Sequence, residues 1–283
     1  MMLAALQILI LAVGAYVLVV GLVFLGQRRL MYHPGGMAGA PADAGLPDAG
    51  EVRVSTADGV ELRSWYLAPP PGRPVILYFH GNAGTIADRA FKARLFARRG
   101  FGVMLAEYRG YGGNPGDPTE AGLYADARAN LAWLADQGHG SGDIVIYGES
   151  LGTGVAVQAA LELAEAGTPV RALVLEAPFT AMADAAGVHY PWLPTGLLTR
   201  DRYDSSAKIG AVRCPVLILH GSADRVVPQD QGMRLFALAA EPKTAAWLPG
   251  AGHGDVYDFG AGEAVLDFLA APTGGKGTVS SAR

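Results

Sequence analysis

Ile144-Val145-Ile146-Tyr147-Gly148-Glu149-Ser150-Leu151-Gly152 is the stretch on which the reading of this chain turns. A short apolar run leads into G-x-S-x-G, and a helical pattern follows. This pattern places a serine on a sharp strand-to-helix turn, with its side chain lifted clear of the sheet edge. The requirement is steric: strained backbone at Ser150 leaves no room for bulky neighbours, and Gly148 and Gly152 supply the space. With 39 glycines among 283 residues, such a triplet arises by chance too readily to decide the fold alone. The decision rests on what surrounds it.

Working outward, strands and helices alternate. Strands are expected at 75–79, 102–107, 143–147, 172–176, 216–219 and 244–248, and helices at 89–99, 119–135, 151–166, 229–240 and 262–269. Alternation of this kind predicts an α/β fold with a mainly parallel sheet and helices on both faces. The run Val75-Ile76-Leu77-Tyr78-Phe79 is apolar throughout, as a strand covered on both sides must be. Segments 52–56 and 61–67 instead alternate apolar and polar around Ala57-Asp58-Gly59, which predicts an antiparallel hairpin at one edge.

The chain is 51% hydrophobic and 17% charged, with a net charge of −4. This suits one large domain with a full core, expected over 51–271. The mild acidity offers no electrostatic footprint for nucleic acid. A single cysteine, Cys214, excludes an intrachain disulfide and a cysteine zinc cluster, and its place before Pro215 and an apolar strand makes it a small buried hydrophobe. Residues 3–26 carry no charge and only Gln7 as a polar interruption. As a helix this run is about 36 Å long, enough to cross a hydrocarbon core of about 30 Å. It lacks the basic leading region of a cleaved signal. Residues 1–27 are therefore expected to be a single-pass transmembrane anchor. Arg28 and Arg29 on its C-terminal flank favour a domain on the cytoplasmic side. A chain beginning at Gln27 is expected to be soluble and active. The Pro-, Gly- and Ala-rich segment 28–50 reads as a linker, and 272–283 as a disordered polar tail.

In an open α/β sheet, ligands bind beyond the carboxyl ends of the strands. Three residues with complementary chemistry fall there: Ser150, Asp224 after the strand at 216–219, and His253 after the last strand. A serine hydroxyl needs an adjacent base to become a nucleophile. His253 is the expected base, because imidazole ordinarily titrates near neutrality. Asp224 is expected to hold the ring's tautomer and stabilise its charged form. Asp230, Asp255 and Asp258 lie nearby but less suitably relative to the strand ends. Backbone N–H groups of Leu151 and Asn82 are the expected oxyanion donors, Asn82 from the loop His80-Gly81-Asn82-Ala83-Gly84. His80 sits too early to be the base and is expected to brace that loop; His220 reads as structural. No H-E-x-x-H, G-x-G-x-x-G or P-loop spacing occurs, so no metal ligand is assigned.

Together with Glu107-Tyr108-Arg109-Gly110-Tyr111-Gly112, Ala177-Pro178-Phe179-Thr180, His220-Gly221-Ser222-Ala223-Asp224 and Pro249-Gly250-Ala251-Gly252-His253, these motifs resemble the α/β-hydrolase superfamily. More narrowly they resemble its bud-emergence-type (Bem-like) subgroup, whose members often carry an N-terminal membrane anchor. The resemblance implies a Ser-His-Asp hydrolase that needs no cofactor, and the favoured reading is a membrane-anchored enzyme that cleaves carboxylic esters or thioesters through an acyl-enzyme. It does not imply a substrate. A serine peptidase of the same fold and a catalytically idle scaffold are the alternatives. The long segment between the strands at 172–176 and 216–219 exceeds a plain crossover. A return helix is expected near 205–210, and a short cap over 178–202. Phe179, Trp192 and Leu198 of that cap are expected to wall a groove for an acyl chain, gaining about 0.8 kcal/mol per buried methylene.

Overall fold

The computed structural model describes residues 1–271 and 279–281. Its sheet is built from β1 (Gly50–Ser55), β2 (Glu61–Leu67), β3 (Val75–Phe79), β4 (Gly102–Ala106), β5 (Ile144–Glu149), β6 (Ala172–Glu176), β7 (Val216–Gly221), β8 (Lys243–Leu248) and β9 (Val279–Ser281). Across the sheet the order is β9-β8-β7-β6-β5-β3-β4-β2-β1. Every neighbouring pair is parallel except β1 with β2 and β2 with β4. The expected hairpin thus forms the antiparallel edge, and its turn is made by Gly59 at φ 85°.

The helices are α1 (Met2–Met31), α2 (Ala90–Ala97), α3 (Glu120–Asp136), α4 (Leu151–Glu165), α5 (Met182–His189), α6 (Thr195–Leu198), α7 (Gln229–Leu238) and α8 (Ala261–Ala270). All five residues of β3 are buried, and their alternation divides the core into two layers. Val75, Leu77 and Phe79 pack with Leu123 and Leu134 of α3, Val155 of α4 and Leu235 of α7. Ile76 and Tyr78 point the other way, with Phe96 of α2 and Val265 of α8. Each such fully buried side chain stabilises the fold by about 1.5–3 kcal/mol relative to exposure.

Three expectations are corrected. The return helix near 205–210 is only a single turn of 3-10 helix, Ile209–Ala211; the helices of the crossover lie earlier, in α5 and α6, within the segment 178–202. Segment 28–50 is not a loose linker. Tyr32 and Leu46 are buried, and His33 and Gly35 N–H donate to Asn82 and Gly84 carbonyls at 2.8 and 3.0 Å, so this segment lies along the domain. Most of the expected tail, 272–283, lies outside the described residues, but 279–281 adds β9 beside β8.

Helix α1 is 30 residues long and long and apolar enough to cross a membrane. None of its residues is buried by the domain.

Candidate active site

Ser150 joins β5 to α4 with φ 50° and ψ −116°, a left-handed conformation that a non-glycine residue adopts only under strain. The flanking glycines are required by close backbone. A Cβ on Gly152 would stand 2.2 Å from the Phe79 carbonyl oxygen, and one on Gly148 would stand 2.5 Å from that of Gly152. Ser150 N–H donates to the Glu176 carbonyl at 2.9 Å and pins the turn to β6.

The structure brings Ser150, His253 and Asp224 together. His253 Nδ1 lies 2.7 Å from Asp224 Oδ2, and His253 Nε2 lies 2.9 Å from Ser150 Oγ. With the Nδ1 proton donated to the carboxylate, Nε2 is left to accept from the serine hydroxyl. The other oxygen of Asp224 accepts from Val226 and Val227 N–H at 2.8 and 2.9 Å. Burial alone would raise the Asp224 carboxyl, but hydrogen bonds from His220, His253 and the Val227 N–H outweigh it and hold the group well below the usual carboxylate range. His253 is positioned by its loop. Ser222 Oγ accepts from Gly250 N–H at 2.9 Å, and Asp255 Oδ1 accepts from Gly252 N–H at 2.7 Å. Asp255 therefore braces the loop, while Asp230 pairs with Arg234.

Asn82 and Leu151 line the same cavity as Ser150. Among the described residues, neither backbone N–H has a protein acceptor, so both are free to donate to a ligand. The Asn82 side chain instead donates to the Met31 carbonyl at 2.8 Å. His80 braces this loop from beneath, its ring nitrogens 2.7 Å from Gly81 O and from Glu107 Oε1. Burial pushes the Cys214 thiol up to about 12, which removes it as a nucleophile.

A feature not anticipated in the sequence lies under the serine turn. Lys92 Nζ is buried between Glu149 and Glu176, at 2.8 Å from each, and Arg89 reaches Glu149 at 2.6 Å. Tyr78 and Tyr147 donate to these same carboxylates. Burial opposes charge on Glu149, but Lys92 and Arg89 overcome it and keep its carboxyl well below the ordinary range. Burial likewise opposes charge on Lys92, and the two carboxylates overcome it and raise its pKa. The contribution of Glu149 is accordingly present above the ordinary carboxylate range and is lost as the pH falls through its depressed value. That of Lys92 is present below the ordinary lysine range and is lost as the pH rises through its raised value. Lys92→Met should leave the buried Glu176 without a cation and Glu149 with Arg89 alone, and cost about 3–5 kcal/mol. Urea unfolding in detergent measures this; a loss of under about 0.5 kcal/mol, usual for a surface change, would refute the role of the lysine.

The cavity beside Ser150 holds about 260 Å³ and is mostly apolar. Phe179 and Leu198 line it, as expected. Trp192 does not: it is 51% exposed, because the chain between α5 and α6 turns its ring outward. Met182 and Leu193 line the cap side instead, and Val23, Phe24, Leu30 and Met31 of α1 form a wall that sequence reasoning missed.

With this geometry in view, comparison with known proteins is informative. The family model of the alpha/beta hydrolase fold matches residues 74–204. An uncharacterised protein of Mycobacterium tuberculosis is 43% identical over 240 residues, 84% of each chain. The lysophosphatidylserine lipase ABHD12 of Danio rerio is 33% identical over 257 residues, 79% of this chain and 66% of that one. Among solved structures, an esterase of Pyrococcus furiosus superposes with a TM-score of 0.66 over 86% of this chain and 99% of its own, at 17% identity; at that identity the likeness concerns the fold.

Proposed function

The chain belongs to the α/β-hydrolase family, and from that premise we propose that it is a membrane-anchored serine hydrolase cleaving the acyl ester of a lipid-like substrate through an acyl-enzyme on Ser150. The observation that carries this reading is the hydrogen-bonded series Ser150–His253–Asp224 opening on an apolar cavity.

Ser150 Oγ attacks the ester carbonyl while His253 Nε2 takes its proton. Charge gathers on the carbonyl oxygen, where the Asn82 and Leu151 N–H groups and the N-terminal end of α4 meet it. The imidazolium is stabilised by Asp224, whose carboxylate stays ionised. Collapse of the intermediate breaks the bond to the alcohol oxygen, which leaves with the proton from His253. A water then gives its proton to His253 and attacks the acyl-enzyme, releasing the acid and restoring Ser150. A thioester follows the same steps with sulfur leaving. The Danio rerio relative is named for a lysophosphatidylserine lipase, and single-chain phospholipid esters are the substrates to test first.

On this reading α1 is a single-pass anchor, and the positive charge of Arg28 and Arg29 at its C-terminal flank favours a domain on the cytoplasmic side. Alkaline carbonate washing should leave the protein in the membrane pellet; recovery in the supernatant would refute the anchor. For activity, a fluorophosphonate probe should label the intact protein on Ser150, and hydrolysis should be strong for esters and thioesters and weak for amides. A protein that is folded yet unlabelled would overturn the serine mechanism. Preference for amides would instead move the reading to a peptidase.

A further inference from the structure

Helix α1 does more than hold the domain at a membrane. Its second half is bonded to the cap at intervals along its length. Tyr16 OH donates to the Trp192 carbonyl at 3.0 Å, and Gln27 donates to the Leu198 carbonyl at 3.1 Å while accepting from Arg200 N–H at 2.8 Å. Arg28 forms a two-pronged ion pair with the buried Asp201, at 2.8 and 3.0 Å. The cap is thereby fixed beside α1 from Tyr16 to Arg28, about 18 Å of helix.

That stretch defines a depth. The charges of Arg28 and Arg29 belong at the interface, and the uncharged turns before them belong in hydrocarbon. Trp192 is held at Tyr16, well to the hydrocarbon side of those charges. The outer face of the cap matches this position: Trp192 is 51% exposed, Leu197 is 87% exposed, and Val188 is exposed as well. Such a face is costly in water and stable when sunk into the acyl boundary. The cavity reaches into the C-terminal part of this interval. Val23 and Phe24, from the apolar part of α1, line it at one place, and Ser150 lines it at another. Met31 at the end of α1 also lines it, with its carbonyl on the Asn82 side chain.

We propose that the cap is seated in the membrane leaflet and that a single-chain lipid passes its acyl tail directly from the leaflet, between α1 and the cap, to Ser150. Val23 and Phe24 then set the accepted chain length, so the anchor is part of the binding site. This rests on the reading of Ser150 as the nucleophile. It also revises the expectation that a chain beginning at Gln27 is simply soluble and active, because that cut removes Val23 and Phe24 and with them the chain-length preference.

The test uses the full chain in phosphatidylcholine vesicles, with two readouts. Lipids brominated along their acyl chains should quench tryptophan fluorescence, and Trp192→Phe should abolish most of that quenching, since the other three tryptophans lie in the domain. Absence of quenching, or quenching unchanged in Trp192→Phe, would show that the cap faces water and would overturn the proposal. Second, kcat/KM is measured for lysophospholipids of increasing chain length. Phe24→Ala should move the preferred length upward and Phe24→Trp downward, with at least a fivefold change in the ratio of long-chain to short-chain kcat/KM. An unchanged ratio, with both variants melting like the parent protein, would overturn the role of α1. Failure of the parent protein to react with a fluorophosphonate would be a different result, striking the serine mechanism and leaving the quenching measurement to be read independently.

Discussion

Ser150→Ala is expected to lower kcat by about 10⁶-fold, the scale seen when a nucleophile that works as a unit with its base is removed. The size follows from the division of labour at the site. Without Oγ, no acyl-enzyme forms, and His253 can act only on water placed by chance. What remains is the assistance of the free N–H groups of Asn82 and Leu151, about 10³–10⁴ over the uncatalysed reaction. The fold should be unaffected. Alanine meets the same backbone strain at φ 50° as serine does, and the Ser150 N–H bond to Glu176 involves no side chain. The measurement is turnover of a short-chain ester by protein of matched melting temperature. Near-normal turnover would end the proposal of Ser150 as nucleophile.

Asp224→Asn should lower kcat by about 10⁴-fold through loss of tautomer control. The surroundings of Asp224 make the outcome specific. Val226 and Val227 N–H both point at Oδ1, so the amide of asparagine must keep its oxygen there and turn its NH₂ towards His253. The ring then presents a bare Nδ1 to that NH₂ and carries its proton on Nε2, where it can no longer accept from Ser150. Asp255→Asn should have little effect, because its remaining carbonyl oxygen can still accept from Gly252 N–H. If Asp255→Asn or Asp258→Asn were the damaging change and Asp224→Asn benign, the acid would have been assigned to the wrong residue.

The chain announced its sheet clearly. Strands that are apolar on both faces, such as β3 and β5, cannot be mistaken for surface segments. Ends of strands are where an α/β sheet presents chemistry, and of the three residues read from those ends, His253 lies within hydrogen-bond reach of both Ser150 and Asp224. The cap was less legible. Its helices α5 and α6 are 8 and 4 residues long, too short for periodicity to tell an inner face from an outer one, and Trp192 was assigned to the wrong side. The wall formed by α1 was hidden for a different reason. A helix that is apolar all round does not mark in its sequence which side meets protein. The Tyr16 hydroxyl within the run and Gln27 just after it were the available signal, and both bond the segment 178–202.

The ties between α1 and the cap also order events in biosynthesis. They join residues 171 to 176 positions apart. At roughly 5–20 residues per second, α1 has been synthesised for on the order of 10–30 s before its partners on the cap exist. It must persist through that interval without them. The cavity is therefore a late product of synthesis, assembled when the finished domain comes to rest against a helix already in place.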